Sequence, residues 1–194
     1  QDYEIFSGSE KEVNKTYSLP LNRIVVTKKL HDLLEEKFNV ESTIIYNGLL
    51  SNEFINRPKI KHDKKNILML ANMAPNKGCL EGLNILKDLS TKYDINVTLF
   101  GVKAIEDIPD NFIFLEKPPR DILLEAYYNA DIYLFTSKYE SWGLPVLEAM
   151  SYQCAVVGMN TGALEEIGKN DYNALIANNY SELYSLLEKL LNDD

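Results

Sequence analysis

The chain has 194 residues, 45% of them hydrophobic and 25% charged, with a formal net charge of −9. That length suits one full domain, or one domain and a piece of another, and the apolar share is enough to bury a core. The acidic balance argues against nucleic acid or an anionic membrane as a general partner, so any phosphate site has to be a local basic patch. Cys79 and Cys154 form no metal or redox spacing and are expected as buried free thiols in a reducing compartment. No run approaches the length of a membrane span, and no charged-then-apolar leader precedes the fold. The start at Gln1 rather than Met reads as a fragment boundary.

In chain order, residues 22–27 predict a strand around Ile24, Val25 and Val26. Residues 28–38 predict a helix with Leu30, Leu33, Leu34 and Phe38 on one face, and residues 42–46 a second strand closed by an Asn47-Gly48 turn. Residues 56–66 carry Arg57, Pro58, Lys59, Lys61, His62, Lys64 and Lys65 with little apolar periodicity, and read as a solvated linker. His62 and His31 are both expected at the surface, so no His-based catalytic site is expected.

Residues 67–71 form the next strand. The loop Asn72-Met73-Ala74-Pro75-Asn76-Lys77-Gly78 leads from it into a helix bearing Leu80, Leu83, Leu86 and Leu89. A Lys and a Gly at such a strand-to-helix mouth can set an ammonium beside a phosphate, although a helix-entry Lys in water is the ordinary alternative. Strands follow at 97–101 and 112–115. Glu116-Lys117-Pro118-Pro119-Arg120 then enters an amphipathic helix with Asp121 as N-cap. A buried strand at 131–136 precedes the most informative stretch, and strands at 155–158 and 174–176 come after it. Ser181 is expected to cap a last helix with Leu183, Leu186, Leu187, Leu190 and Leu191. Strands alternating with helices from residue 67 imply an α/β, doubly wound parallel sheet of Rossmann-like type. Ligands in such sheets bind beyond the carboxyl ends of the strands.

The stretch from Ser137 to Met150 reads as strand end, glycine turn and helix start. Gly143 permits the turn, and Pro145 suits the first helical turn because its missing N–H has no partner to lose. Unpaired backbone N–H groups and the positive end of the helix dipole meet there, an arrangement that holds phosphates. Glu140 and Glu148 bracket the turn, and a carboxylate accepts several hydrogen bonds, which suits the vicinal hydroxyls of a ribose or hexose. Val146, Leu147, Ala149 and Met150 fall on one arc. Glu148 lies opposite, where a solvated Glu is the ordinary outcome, and Glu140 by itself reads equally as a loop residue.

Glu140-x7-Glu148 within S-x-x-E-S-W-G-L-P-V-L-E-A-M resembles the signature of the retaining glycosyltransferases of family 4, the "glycosyl transferases group 1", built on the two-Rossmann-domain GT-B fold. The resemblance implies that Glu140 touches the donor sugar and Glu148 holds the ribose of the nucleotide. It also implies that the turn at Ser141, Gly143 and Leu144 meets the diphosphate. The family's "Gly-Arg…Lys-Gly" is matched by Lys77 and Gly78, while Ala71 and Asn72 replace the Gly and Arg, so one expected charge in the donor site is absent. Backbone at Lys117 and Pro118 is implied to meet the base edge. Thr161-Gly162-Ala163-Leu164-Glu165-Glu166-Ile167 is similar to the family's "Gly-Gly-x-x-Glu" turn and helix. The first segment is similar to the end of the family's N-terminal domain, with Tyr46-Asn47-Gly48 ahead of Phe54, and residues 1–4 resemble rhamnosyltransferase-like members.

The implied layout is an incomplete acceptor-side domain at 1–55, a linker at 56–66 and a nucleotide-sugar-binding domain at 67–194. The implied reaction transfers a sugar from a nucleotide diphosphate sugar to a glycan or lipid-linked acceptor, with retention, in polysaccharide or cell-surface glycan biosynthesis. Glu140 and Lys77 are its expected catalytic residues. No metal and no cofactor beyond the donor are expected, and no Asp-x-Asp motif in glycosyltransferase context is present. The resemblance implies a cytoplasmic protein, peripheral to the inner face of the membrane when full-length, with the missing N-terminal domain residues as a further partner and this fragment alone inactive. Two alternatives stand beside it. A non-catalytic nucleotide-sugar-binding module is favoured by Asn72. A GT-B epimerase or phosphorylase would need its own catalytic acid or cofactor lysine. No G-x-G-x-x-G is present to support a dinucleotide oxidoreductase.

Overall fold

A computed structural model describes residues 2, 3, 8–53, 58–103 and 105–193. Gln1, Glu4, Phe54, Asn56 and Arg57, which entered the family resemblance or the linker expectation, lie outside the described residues. The chain divides into two compact units, Gln1–Gly48 and Leu49–Asp194.

The first unit begins with a helix not expected from the sequence, α1 (Glu10–Tyr17). Its start is set by a reciprocal capping box: Ser9 accepts from the Glu12 backbone N–H, and the Glu12 carboxylate accepts from the Ser9 backbone. Then come β1 (Ile24–Val25), α2 (Lys28–Phe38) and β2 (Thr43–Ile44), with β1 and β2 paired in parallel. Helix α2 has the predicted bounds. Thr27 Oγ1 accepts from Leu30 N at 3.1 Å, and Asn39 ends the helix in the left-handed region. Val25, Leu30 and Leu34 form this unit's core, with Tyr17 stacked on Phe38 at 5.3 Å. The expected turn at Asn47-Gly48 is absent; a short 3-10 turn at Ser51–Glu53 comes next in the chain. His31 is half-buried rather than on the surface, with Nδ1 at 2.8 Å from Ser42 Oγ.

The second unit runs β3 (Asn66–Leu70), α3 (Cys79–Ser90), β4 (Asn96–Gly101), β5 (Ile113–Glu116), α4 (Arg120–Asn129), β6 (Ile132–Phe135), α5 (Leu144–Ser151), β7 (Ala155–Met159), α6 (Ala163–Ile167), β8 (Leu175–Ala177) and α7 (Tyr180–Asn192). Its six strands are all parallel, in the order β5-β4-β3-β6-β7-β8. The chain therefore winds outward from β3 in one direction and from β6 in the other. The point where the winding reverses lies between β3 and β6, which is where such sheets bind ligands. The doubly wound, Rossmann-like sheet expected from the sequence is thus present.

Side chains alternate across the strands as the pleat requires. Ile67 and Met69 of β3 and Leu134 of β6 meet Leu83, Leu86, Leu89, Leu183 and Leu187 from α3 and α7 in one core cluster. Burying each such aliphatic side chain stabilises the fold by about 1.5–3 kcal/mol. Tyr133, on the opposite face of β6, is 5.9 Å from the ring of Tyr127, which also meets Phe100 and Tyr152. Leu80, expected on the buried stripe of α3, is 53% exposed, and Cys79 and Gly82 complete that stripe instead. Both thiols are buried as expected, and burial pushes Cys154 up to about 11.

Two caps differ from expectation. Helix α4 follows Pro119 without a side-chain cap, so Asp121 sits inside the first turn. Helix α7 is capped by Asn179, which accepts from Glu182 N, rather than by Ser181. The basic stretch before β3 is not wholly solvated. Lys59 Nζ donates to Tyr152 O at 2.8 Å, and His62 is half-buried with Nδ1 at 3.2 Å from Asp131.

Candidate active site

Both loops at the reversal point are shaped by glycine. The chain leaves β3, passes a 3-10 turn at Pro75–Lys77 and enters α3 through Gly78 at φ +60. A Cβ at Gly78 would lie 2.1 Å from Tyr180 Oη and 2.2 Å from Thr136 O, so no other residue fits between the ends of β6 and α7. Gly143 enters α5 at φ +88, with Pro145 in the first turn as expected. The two loops are joined through Asn76. Its carbonyl accepts from Lys138 N at 2.8 Å and Tyr139 N at 3.3 Å, and its Nδ2 donates to Tyr139 O at 3.1 Å.

This joining brings together the two residues expected to be catalytic. Lys77 Nζ forms an ion pair with Glu140 Oε1, and the two side chains are 21% and 14% exposed. Ser137 Oγ donates to the same carboxylate oxygen at 3.2 Å, Glu140 N donates to Thr161 Oγ1 at 3.2 Å, and Thr136 Oγ1 donates to Lys77 O at 2.8 Å. A lysine ammonium has three donors, so Lys77 can hold Glu140 and still offer N–H to a phosphate oxygen.

Glu148 is not solvated. It is buried, 7% exposed, although it lies opposite the apolar arc of Val146 and Ala149. Its partner is Arg120 at the start of α4, with Nη1 at 2.7 Å from Glu148 Oε1. The same guanidinium donates through Nε to Glu53 Oε1 at 3.0 Å and through Nη2 to Glu53 Oε2. Glu53 is held below the usual carboxylate range by that contact, and Arg120 is pushed up by it. Beneath lie Tyr127 and Tyr133, whose buried hydroxyls have no hydrogen-bond partner. Burial raises the Tyr133 phenol well above its ordinary range, and the charges of Glu148 and Glu140 raise it further, so both carboxylates act on one ring.

The remaining expected residues are placed less tightly. Ser141 and Leu144 lie in the turn itself, with Leu144 opening α5 and 41% exposed. Lys117 and Pro118 follow β5 and lead into α4 directly before the helix that carries Arg120; Lys117 takes φ +42 and its N–H donates to Gly101 O at 2.7 Å. Asn72 stands apart. Its Oδ1 accepts from Ala74 N at 2.9 Å, and it lines a separate cleft of about 560 Å³ with Met73, Leu80, Val102 and Ile105. Among the described residues, no group of three or more His, Cys, Asp or Glu side chains is placed to hold a metal ion, and no helix is long and apolar enough to cross a membrane.

The family model for glycosyl transferases group 1 matches residues 51–194, nearly the whole second unit. The chain belongs to that family. A relative, the "Uncharacterized glycosyltransferase MJ1607" of Methanocaldococcus jannaschii, is 25% identical over 177 residues, covering 78% of this chain and 45% of that protein. Two solved structures share the fold. Sucrose-phosphate synthase from Thermosynechococcus elongatus superposes with a TM-score of 0.79 at 17% identity, covering 98% of this chain and 54% of that one. Anabaena HepE in complex with UDP and glucose also gives 0.79 at 17% identity, covering 99% and 60%. The chain thus spans about half the length of these similar proteins.

Within this group 1 chain, Arg120, Glu53, Ser137 and Thr161 are the site neighbours that the sequence reading did not assign. Ser137 and Thr161 lie inside the motifs that carry the family resemblance. Arg120 and Glu53 are 67 residues apart and left no local signal.

Proposed function

We propose that this chain is the donor-binding part of a retaining family 4 glycosyltransferase, which moves a sugar from a nucleotide diphosphate sugar to a glycan or lipid-linked acceptor. The observation that carries this reading is the Lys77–Glu140 pair spanning the loops after β3 and β6. It sets a cation and a hydrogen-bond acceptor side by side where a doubly wound sheet takes its ligand. In the proposed reaction the bond from the anomeric carbon to the diphosphate breaks. Lys77 and the backbone N–H groups near Gly143 and Leu144 receive the leaving charge. The acceptor oxygen bonds to the same face of the sugar, and its proton passes to the leaving phosphate. Glu140 positions the sugar and is not assigned as a covalent nucleophile, while Glu148 accepts from the ribose hydroxyls. UDP and glucose in the HepE complex support a nucleotide-sugar donor.

Since Lys77 supplies the cation, the reading calls for no metal and no cofactor besides the donor. It extends to residues 1–55 as the end of an acceptor-side domain. It also includes work in polysaccharide or cell-surface glycan biosynthesis, in the cytoplasm and at the inner membrane face for the full-length protein. The binding test is titration calorimetry with UDP, GDP, ADP and dTDP sugars. At least one should bind, and Glu148→Gln should weaken it about tenfold or more while leaving the melting temperature nearly unchanged, the scale of a charge-assisted hydrogen bond. Absence of binding by every compound, or equal affinity in the variant, overturns the donor assignment. A non-catalytic binding module is the second reading, favoured by Asn72, whose side chain bonds to its own loop. Full-length protein that binds a nucleotide sugar but turns none over would establish it.

A further inference from the structure

Glu148 is an unusual ribose ligand in one respect: a buried carboxylate is costly unless its charge is matched. The groups that face it come from every side. Arg120 and Tyr127 project from α4, Tyr133 from β6, and Glu53 reaches it through Arg120 from the 3-10 turn at Ser51–Glu53. Arg120 is the cation of this set. Its planar fork is split between two carboxylates, one oxygen of Glu148 and both oxygens of Glu53. Glu53 is itself tethered, because Tyr152 Oη donates to its backbone carbonyl. The guanidinium therefore has a fixed seat, and Glu148 is oriented from it. One carboxylate oxygen is held by Arg120 at 2.7 Å, and the Tyr127 side chain from α4 lies against the same carboxylate.

From this geometry we infer that Arg120, seated on Glu53, is a positioning residue for nucleotide recognition: it turns Glu148 so that its second oxygen meets the ribose hydroxyls. The inference rests on the donor-site reading above. Arg120 does not touch the reacting atoms; it acts through Glu148. Lysine is a poor substitute, since a single ammonium cannot span two carboxylates as a fork does.

The test compares UDP with 2′,3′-dideoxy-UDP, and the matching GDP and ADP pairs, by calorimetry on the 194-residue chain. Wild type should prefer the ribonucleotide at least tenfold. Arg120→Gln should bring that preference to about two-fold or less, with Arg120→Lys in between, and Glu53→Gln should lower it in the same direction by unseating the guanidinium. A melting curve accompanies each variant, and Arg120→Lys serves if Arg120→Gln does not fold. A side chain that only braces the fold would lower the melting temperature but leave the ribose-to-dideoxy ratio as in wild type, and that result overturns the inference. If wild type binds none of UDP, GDP, ADP and dTDP, the donor reading fails instead, and the two failures are told apart.

Discussion

Lys77 and Glu140 hold each other in the second unit, and the consequence for binding is specific. Lys77→Ala removes the ammonium and leaves Glu140, 14% exposed, with Ser137 still donating to it. A hydrogen bond to a charged group is worth about 1.5–3 kcal/mol. Affinity for a nucleoside diphosphate should therefore fall about ten- to 150-fold while affinity for the nucleoside stays within about two-fold, as measured by calorimetry with both ligands. Equal losses would remove Lys77 from the phosphate site. Lys77 and Glu140 were legible because a signature names them. Glu148's surroundings were not. A helical wheel assigns its face to solvent, but α5 is short and its outer side is met by the start of α4, which a one-helix periodicity cannot see. The Arg120 partner was hidden for a related reason, since taking Asp121 as the N-cap left Arg120 in a loop.

Helix ends show where local reading succeeds and fails. The bounds of α2 came directly from periodicity, whereas Thr27, expected as the end of a strand, also caps that helix. The capping box of α1, Ser9 with Glu12, is equally local, but with Val13 as the single buried residue the segment carries little apolar periodicity. At α7, Ser181 and Asn179 are both good caps, and Asn179 prevails because its side chain reaches Glu182 N at 2.9 Å. Asn179→Ala should cost about 1 kcal/mol, read as a lowered midpoint in urea, whereas Ser181→Ala should leave the midpoint unchanged. A loss confined to Ser181→Ala would reverse the assignment. Leu80 was misplaced because the stripe of α3 is shifted: Cys79 and Gly82 pack inward, and a Leu at the first turn is left outside.

For the molecule as a whole, alternating strands and helices were enough to give a parallel doubly wound sheet. The order β5-β4-β3-β6-β7-β8 was not readable, because alternation does not say in which direction each crossover travels. That order is nonetheless what sets Lys77 and Glu140 on neighbouring strand ends, 63 residues apart in the chain. Since the chain spans about half of its relatives, binding and transfer should separate. The 194-residue protein should bind a nucleotide sugar yet release no product in a radiolabelled transfer assay with a mixed glycan acceptor. Transfer at a rate comparable with a full-length relative would show that no further acceptor-side residues are required.

Asn76 couples the two loops at the reversal point. By tying its own backbone and amide to the segment just before Glu140, it joins the two loops into one jaw rather than two independent fingers. A diphosphate arriving there meets a cation whose place is already chosen, so little ordering entropy is left to lose on capture.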